Sequence, residues 1–88
     1  MARLESQSDD YMAAGQAPSA DLFFELGIKC ATGRTGATDL VTAHKWFNLA
    51  AHQGNREAAR YRQEIASEMT AAEIAEAQRA AREWLSLH

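Results

Sequence analysis

The chain is expected to be all-α, on three observations. Its 88 residues include a single proline, few β-branched side chains and abundant alanine, a composition that favours helix over strand. Apolar residues recur at three- and four-residue spacing from Leu22 to Trp84, and no stretch alternates with the period of a strand. Four polar residues suited to capping, Ser19, Asp39, Asn55 and Thr70, each stand at the head of one such apolar segment. The length bounds the chain to one domain with a modest core, and 47% hydrophobic with 24% charged residues is ordinary for a globular protein.

Residues 1–19 read as an N-terminal arm or linker carrying at most one weak helix. Leu4, Tyr11 and Met12 keep no sustained period there, and Gly15 and Pro18 break the segment. A first helix is expected from about Ala20 to Thr32, with Ser19 as its cap, Asp21 favourable to its dipole, and Gly33 available for the left-handed closing turn. The second begins after Asp39, runs to about Gln53 and stops at Gly54. Asn55 caps a third helix from Arg56 to about Met69. The fourth has the clearest start: Thr70 and Glu73 form a capping box, Met69 and Ile74 a hydrophobic staple, and the helix ends near Leu87. Connections this short predict antiparallel neighbours.

The second helix shows how the packing works. Leu40, Ala43, Trp46, Phe47, Ala50 and Gly54 share one arc, with Lys45, Asn48 and His52 opposite. The alanines admit a close neighbour, and the aromatic pair fills the wider space beside that contact. The first helix has a much broader apolar arc, broken only by Glu25, Lys29 and Thr32. Phe23, Leu26, Gly27 and Cys30 can face the second helix, while Phe24, Ile28 and Ala31 are left looking elsewhere. Those last residues either form a contact surface or pack under the arm or the third helix. Arg62 falls on the same arc as Ala58, Ile65 and Met69, where it either snorkels over the core edge or anchors a partner. On the fourth helix the buried face is Ile74, Ala77, Ala81, Trp84 and Leu85, with Trp84 also suited to a binding hot spot.

The same residues argue against several function classes. A net charge of −3 with both signs interspersed offers no basic groove for nucleic acid. No apolar run is long enough to span a membrane and no secretory leader is visible, so a cytoplasmic location is expected. Cys30 stands alone, which excludes an internal disulfide, and no base or electropositive setting marks it as a nucleophile. His44 and His52 lie about 12 Å apart on one helix, too far to share a metal ion. "GRTG" lacks the lysine and the preceding strand of a phosphate loop. Glu64, Glu68, Glu73 and Glu76 sit beside Arg60, Arg79 and Arg82, where helical ion pairs account for them. No catalytic residue, metal site or cofactor is expected.

The stretch "LGIKCATGRTGATDLVTAHKWFNLAAHQGN" resembles a Sel-one-like repeat, a helical hairpin related to the tetratricopeptide repeat. Leu26, Gly27, Gly33, Asp39, Ala43, Trp46, Phe47, Ala50, Ala51 and Gly54 match that family's pattern, and Ala58 matches the small residue opening the next helix. Cys30 stands where the family has tyrosine, and Thr35 and Gly36 replace its loop glycine and valine. The resemblance implies one full hairpin over 20–55, closed by a C-terminal capping helix pair over 56–88 into a short right-handed α-solenoid. It also implies that the first helix lines the concave, ligand-binding side, which makes Phe24, Ile28 and Ala31 candidate partner-binding residues; Arg62, on the third helix, joins them as a candidate polar anchor.

One repeat with a cap falls short of the three or so that such arrays need, so it is expected to lean on the N-terminal segment, self-associate or dock onto another protein. The function that follows is non-catalytic: an adaptor or scaffold that binds a peptide or helix of another protein along the first-helix face. The alternative is a homodimer that buries the same face.

Overall fold

A computed structural model describes residues 19–34 and 36–88; the reading of 1–18 as an arm and the loop departure at Thr35 lie outside the described residues. The described chain is all-helical, with α1 (Ala20–Thr32), α2 (Leu40–His52), α3 (Arg56–Ala66) and α4 (Ala71–Leu87), and no strand among the described residues.

Each helix starts where its capping residue predicts. Ser19 Oγ accepts from the Leu22 N–H at 3.1 Å, Asp39 Oδ1 from Thr42 at 3.0 Å, and Asn55 Oδ1 from Ala58 at 2.8 Å. Thr70 and Glu73 form the reciprocal box: the Glu73 N–H donates to Thr70 Oγ1 at 3.1 Å, and the Thr70 N–H donates to Glu73 Oε1 at 2.9 Å. These side chains satisfy donors that the first helical turn leaves without a partner. Gly33 closes α1 in the left-handed region, at φ 74°, and a backbone bond from the Asp39 N–H to the Cys30 carbonyl ties the loop shut at 2.9 Å.

α3 is shorter than the sequence suggests, ending at Ala66 rather than about Met69. The N–H groups of Ser67, Glu68 and Met69 instead donate to the carbonyls of Glu64, Ile65 and Ala66, a tighter turn that redirects the chain within four residues.

α2 is the hub, packing along its length against each of the other three helices. Phe47, Ala43, Ala50 and Leu49 on it are fully buried. Leu49 lies outside the single arc assigned to this helix. α2 is in fact apolar on several sides, through Val41, Trp46, Leu49 and Ala51 as well as the arc itself, which is the signature of a central helix.

Short connections do not make every consecutive pair neighbours. α3 and α4 scarcely approach one another, and each packs on α2. The reason lies in their apolar area. α3 offers one narrow stripe, Ala58, Tyr61 and Ile65, all of it engaged with the core. The face of α4 that carries Ala77, Ala81 and Trp84 is likewise used against the core. Each of the two is thus committed separately to the core.

The adjacent aromatic pairs Phe23–Phe24 and Trp46–Phe47 divide the core between these outer helices. Phe23 stacks on Trp46, with centroids 5.7 Å apart, and meets the edge of Trp84 from α4 at 5.1 Å. Phe24 meets Phe47 at 5.8 Å and Tyr61 from α3 at 5.3 Å. Neighbouring residues on a helix point about 100° apart, so each doublet sends one ring toward α4 and the next toward α3.

Candidate interaction surface on the first helix

α1 closely approaches only α2 along its length. Of its apolar residues, only Phe23 and Gly27 are fully buried; Leu22, Phe24, Leu26, Ile28, Cys30 and Ala31 are half-buried. By position on the helix they form two flanks around the buried ridge. Leu22 and Leu26 lie on the Trp84 side, and Phe24, Ile28 and Ala31 on the Tyr61 side. Asp21, Glu25 and Thr32 complete the circumference as a solvated stripe.

One expectation about these residues is corrected. Phe24 does not look away from α2: it meets Phe47 there, and Tyr61 of α3 from the other side. Ile28 and Ala31 also rest against the core while remaining half-exposed. Their arc is therefore partly covered from within the chain, at Phe24 by Tyr61 of α3. Arg62 is drawn inward as well. Its Nη1 donates to Asn48 Oδ1 at 2.6 Å, across the α2–α3 seam. Asn48, expected on the solvent face of its helix, is half-buried because α3 lies over it.

The residues that carry the sequence resemblance occupy the α1–α2 contact and the turns at the ends of its helices. Ala43, Phe47 and Ala50 are fully buried, Trp46, Ala51 and Leu26 are half-buried, and Gly54 terminates α2 with φ 103°. Gly27 is the point of closest approach, since a Cβ built there falls 2.5 Å from Phe47 Cδ1 and Cε1.

At Cys30, burial first and the nearby Asp39 second raise the thiol pKa above its ordinary value, against a smaller opposing effect of Lys45. The thiolate is thereby disfavoured. Among the described residues no group of three His, Cys, Asp or Glu side chains is placed to hold a metal ion, and no helix is long and apolar enough to cross a membrane. None of the four carboxylates expected in helical ion pairs forms one among the described residues: Glu73 is committed to its cap, and the salt bridge present is the exposed pair of Arg60 with Glu57, at 3.3 Å.

Two features escaped the sequence reading. His44 is only 3% exposed, although histidine on a polar-looking stretch gives no such signal. Leu85 is 41% exposed, not part of the buried face, because seventeen-residue α4 outlasts thirteen-residue α2 and its last turn runs past the core. Comparison of the chain with protein-family models, with curated proteins and with solved structures finds no match.

Proposed function

We propose that this chain is a non-catalytic binding module built on one Sel-one-like hairpin, and that another protein's apolar helix or extended peptide docks along α1. The single observation carrying this reading is the state of α1, whose apolar residues are mostly only half-buried although the helix runs the full length of the hairpin. A helix that hides only Phe23 and Gly27 leaves two apolar flanks for a partner to finish burying. The hairpin assignment is supported by the Gly27–Phe47 approach, the left-handed Gly33 and the Asp39 cap, each at a motif position. In this reading α3, with Ala58 fully buried, stands where the opening helix of a next repeat would begin a short right-handed solenoid. Phe24, Ile28 and Ala31 line the docking flank, while Arg62 is engaged with Asn48 on the α2–α3 seam and supplies no anchor there.

Ala31→Glu is the sharpest probe, because it charges the flank while removing almost no packing area. Phe24→Glu would confuse binding with stability, since that ring touches both Phe47 and Tyr61. A partner captured by the intact chain is purified and titrated against the wild-type and Ala31→Glu proteins, with amide shifts followed by NMR. The reading expects shifts concentrated between Leu22 and Ala31 and at least a tenfold weaker affinity for the variant. Shifts confined to α4, or equal affinities, overturn it. Sedimentation over a range of concentrations tests the competing dimer, which Ala31→Glu should dissociate if that is what covers α1.

A further inference from the structure

The α2–α3 seam holds a titratable group that the binding role does not use. His44 lies on α2 one turn before Asn48, the residue to which Arg62 of α3 is bonded. His44 is only 3% exposed, and its Nδ1 is buried with no hydrogen-bond partner among the described residues. A neutral ring tolerates this, because an unprotonated nitrogen is an acceptor whose loss of water is moderately costly. A charged ring does not. Protonation would turn Nδ1 into a buried donor that only the residue's own backbone compensates, and that incompletely, and would set a second cation beside the Arg62 guanidinium. Of the charged groups on the three helices packed against α2, Arg62 is the one whose field acts on His44; α1 and α4 contribute none.

We propose that this seam is an acid-sensitive latch, in which α3 stays seated on α2 only while His44 is uncharged, so that acidification unseats α3 ahead of the rest of the fold. Arg62 has a double role in it: its bond to Asn48 holds α3 down, and its charge penalises the protonated ring beneath. Lifting α3 withdraws Tyr61 from Phe24 and Phe47, which uncovers the apolar flank of α1. The latch stands whether or not that flank docks a partner.

Its direction follows from linkage. Burial, and after it the Arg62 charge, holds the folded His44 pKa below the ordinary 6.5, against a smaller opposing effect of its own backbone. With α3 lifted the ring regains water and an ordinary affinity for protons. Above about pH 6.5 both states are neutral and seating has its full strength. Below it the lifted state binds the extra proton, so the seating equilibrium falls by up to tenfold per pH unit until the folded pKa is reached.

The test is NMR on the intact chain from pH 8 to 5, reading the His44 ring proton and amide protection factors corrected for intrinsic exchange. His44 should remain neutral below pH 6.5 in the folded chain. Protection along Arg56–Ala66 should fall with acid while that of α1 and α2 persists. His44→Gln, uncharged throughout, should abolish the α3-specific loss, and Arg62→Gln should move the His44 titration upward. The latch is overturned if His44 protonates at or above pH 6.5 with α3 still protected. Uniform loss across all four helices, or an unchanged pH response in His44→Gln, overturns it equally. Should His44→Gln fail to fold, the wild-type ring titration and α3 protection decide the matter alone.

Discussion

Phe47 occupies the space that a side chain on Gly27 would fill, with Cδ1 and Cε1 both 2.5 Å from the position of a Cβ on that glycine. Glycine in mid-helix costs roughly 1 kcal/mol relative to alanine, so its presence in α1 has to be offset by what it admits. What it admits is the largest fully buried ring of α2, seated directly against the backbone of α1.

Gly27→Ala sets these two effects against each other. The helix gains about 1 kcal/mol of propensity, while forcing Phe47 aside costs about 1–3 kcal/mol or more in a packed core. At 2.5 Å something must move, and Phe47 is boxed in by Phe24 and Tyr61. The variant should therefore be less stable than the wild type in urea unfolding. A more stable variant would show that α1 and α2 stand further apart than described.

Asp39 gives a second test, separable by pH. Its carboxylate accepts from the Thr42 N–H and from the Thr42 hydroxyl, and these bonds hold its pKa below the ordinary 3.8, with burial opposing weakly. A carboxyl with a depressed folded pKa contributes stability that is complete above its unfolded value and disappears as pH falls through the folded one. Asp39→Ala should cost about 1 kcal/mol at pH 7 through loss of the cap. Asp39→Asn keeps a capping oxygen, and the stability difference from wild type should shrink as the pH is lowered from 5 to 3. A difference that is constant over that range would mean the carboxylate is not the capping group.

Trp84 carries α4. Its ring meets Phe23 at 5.1 Å and Trp46 at 6.4 Å, and His88 stacks on its far side at 4.0 Å. Full burial of a tryptophan makes truncation cost about 3–5 kcal/mol; half-burial lowers the expected loss for Trp84→Ala to about 2–3 kcal/mol. In a domain this small that corresponds to a fall in Tm of about 10–20 °C. Leu87→Ala, at 79% exposure, should leave the melt within about 2 °C and serves as the control. Calorimetry on both variants checks the contrast.

Helix starts were legible because they are local. Ser19, Asp39, Asn55 and Thr70 cap by reaching three residues ahead, and nothing distant has to agree for that geometry to form. The Gly27–Phe47 approach was legible in outline for a related reason: a glycine and an aromatic ring on facing arcs of a short hairpin have few other ways to meet. The docking flank was less so. The wheel places Phe24 at the edge of its arc, but whether that edge is covered depends on Tyr61, 37 positions later.

From sequence alone come four helices, their starting caps, the left-handed turn at Gly33 and the facing of Ala43 and Ala50 into the hairpin, because each depends on residues within a turn or two of one another. Tertiary structure alone decided that α2 is the hub, that α3 and α4 both pack on it, and that His44, Leu49 and Asn48 are drawn inside. The physical reason is that periodicity reports how much apolar surface a helix carries, whereas the helix that covers it is chosen by competition among all the chain's faces at once.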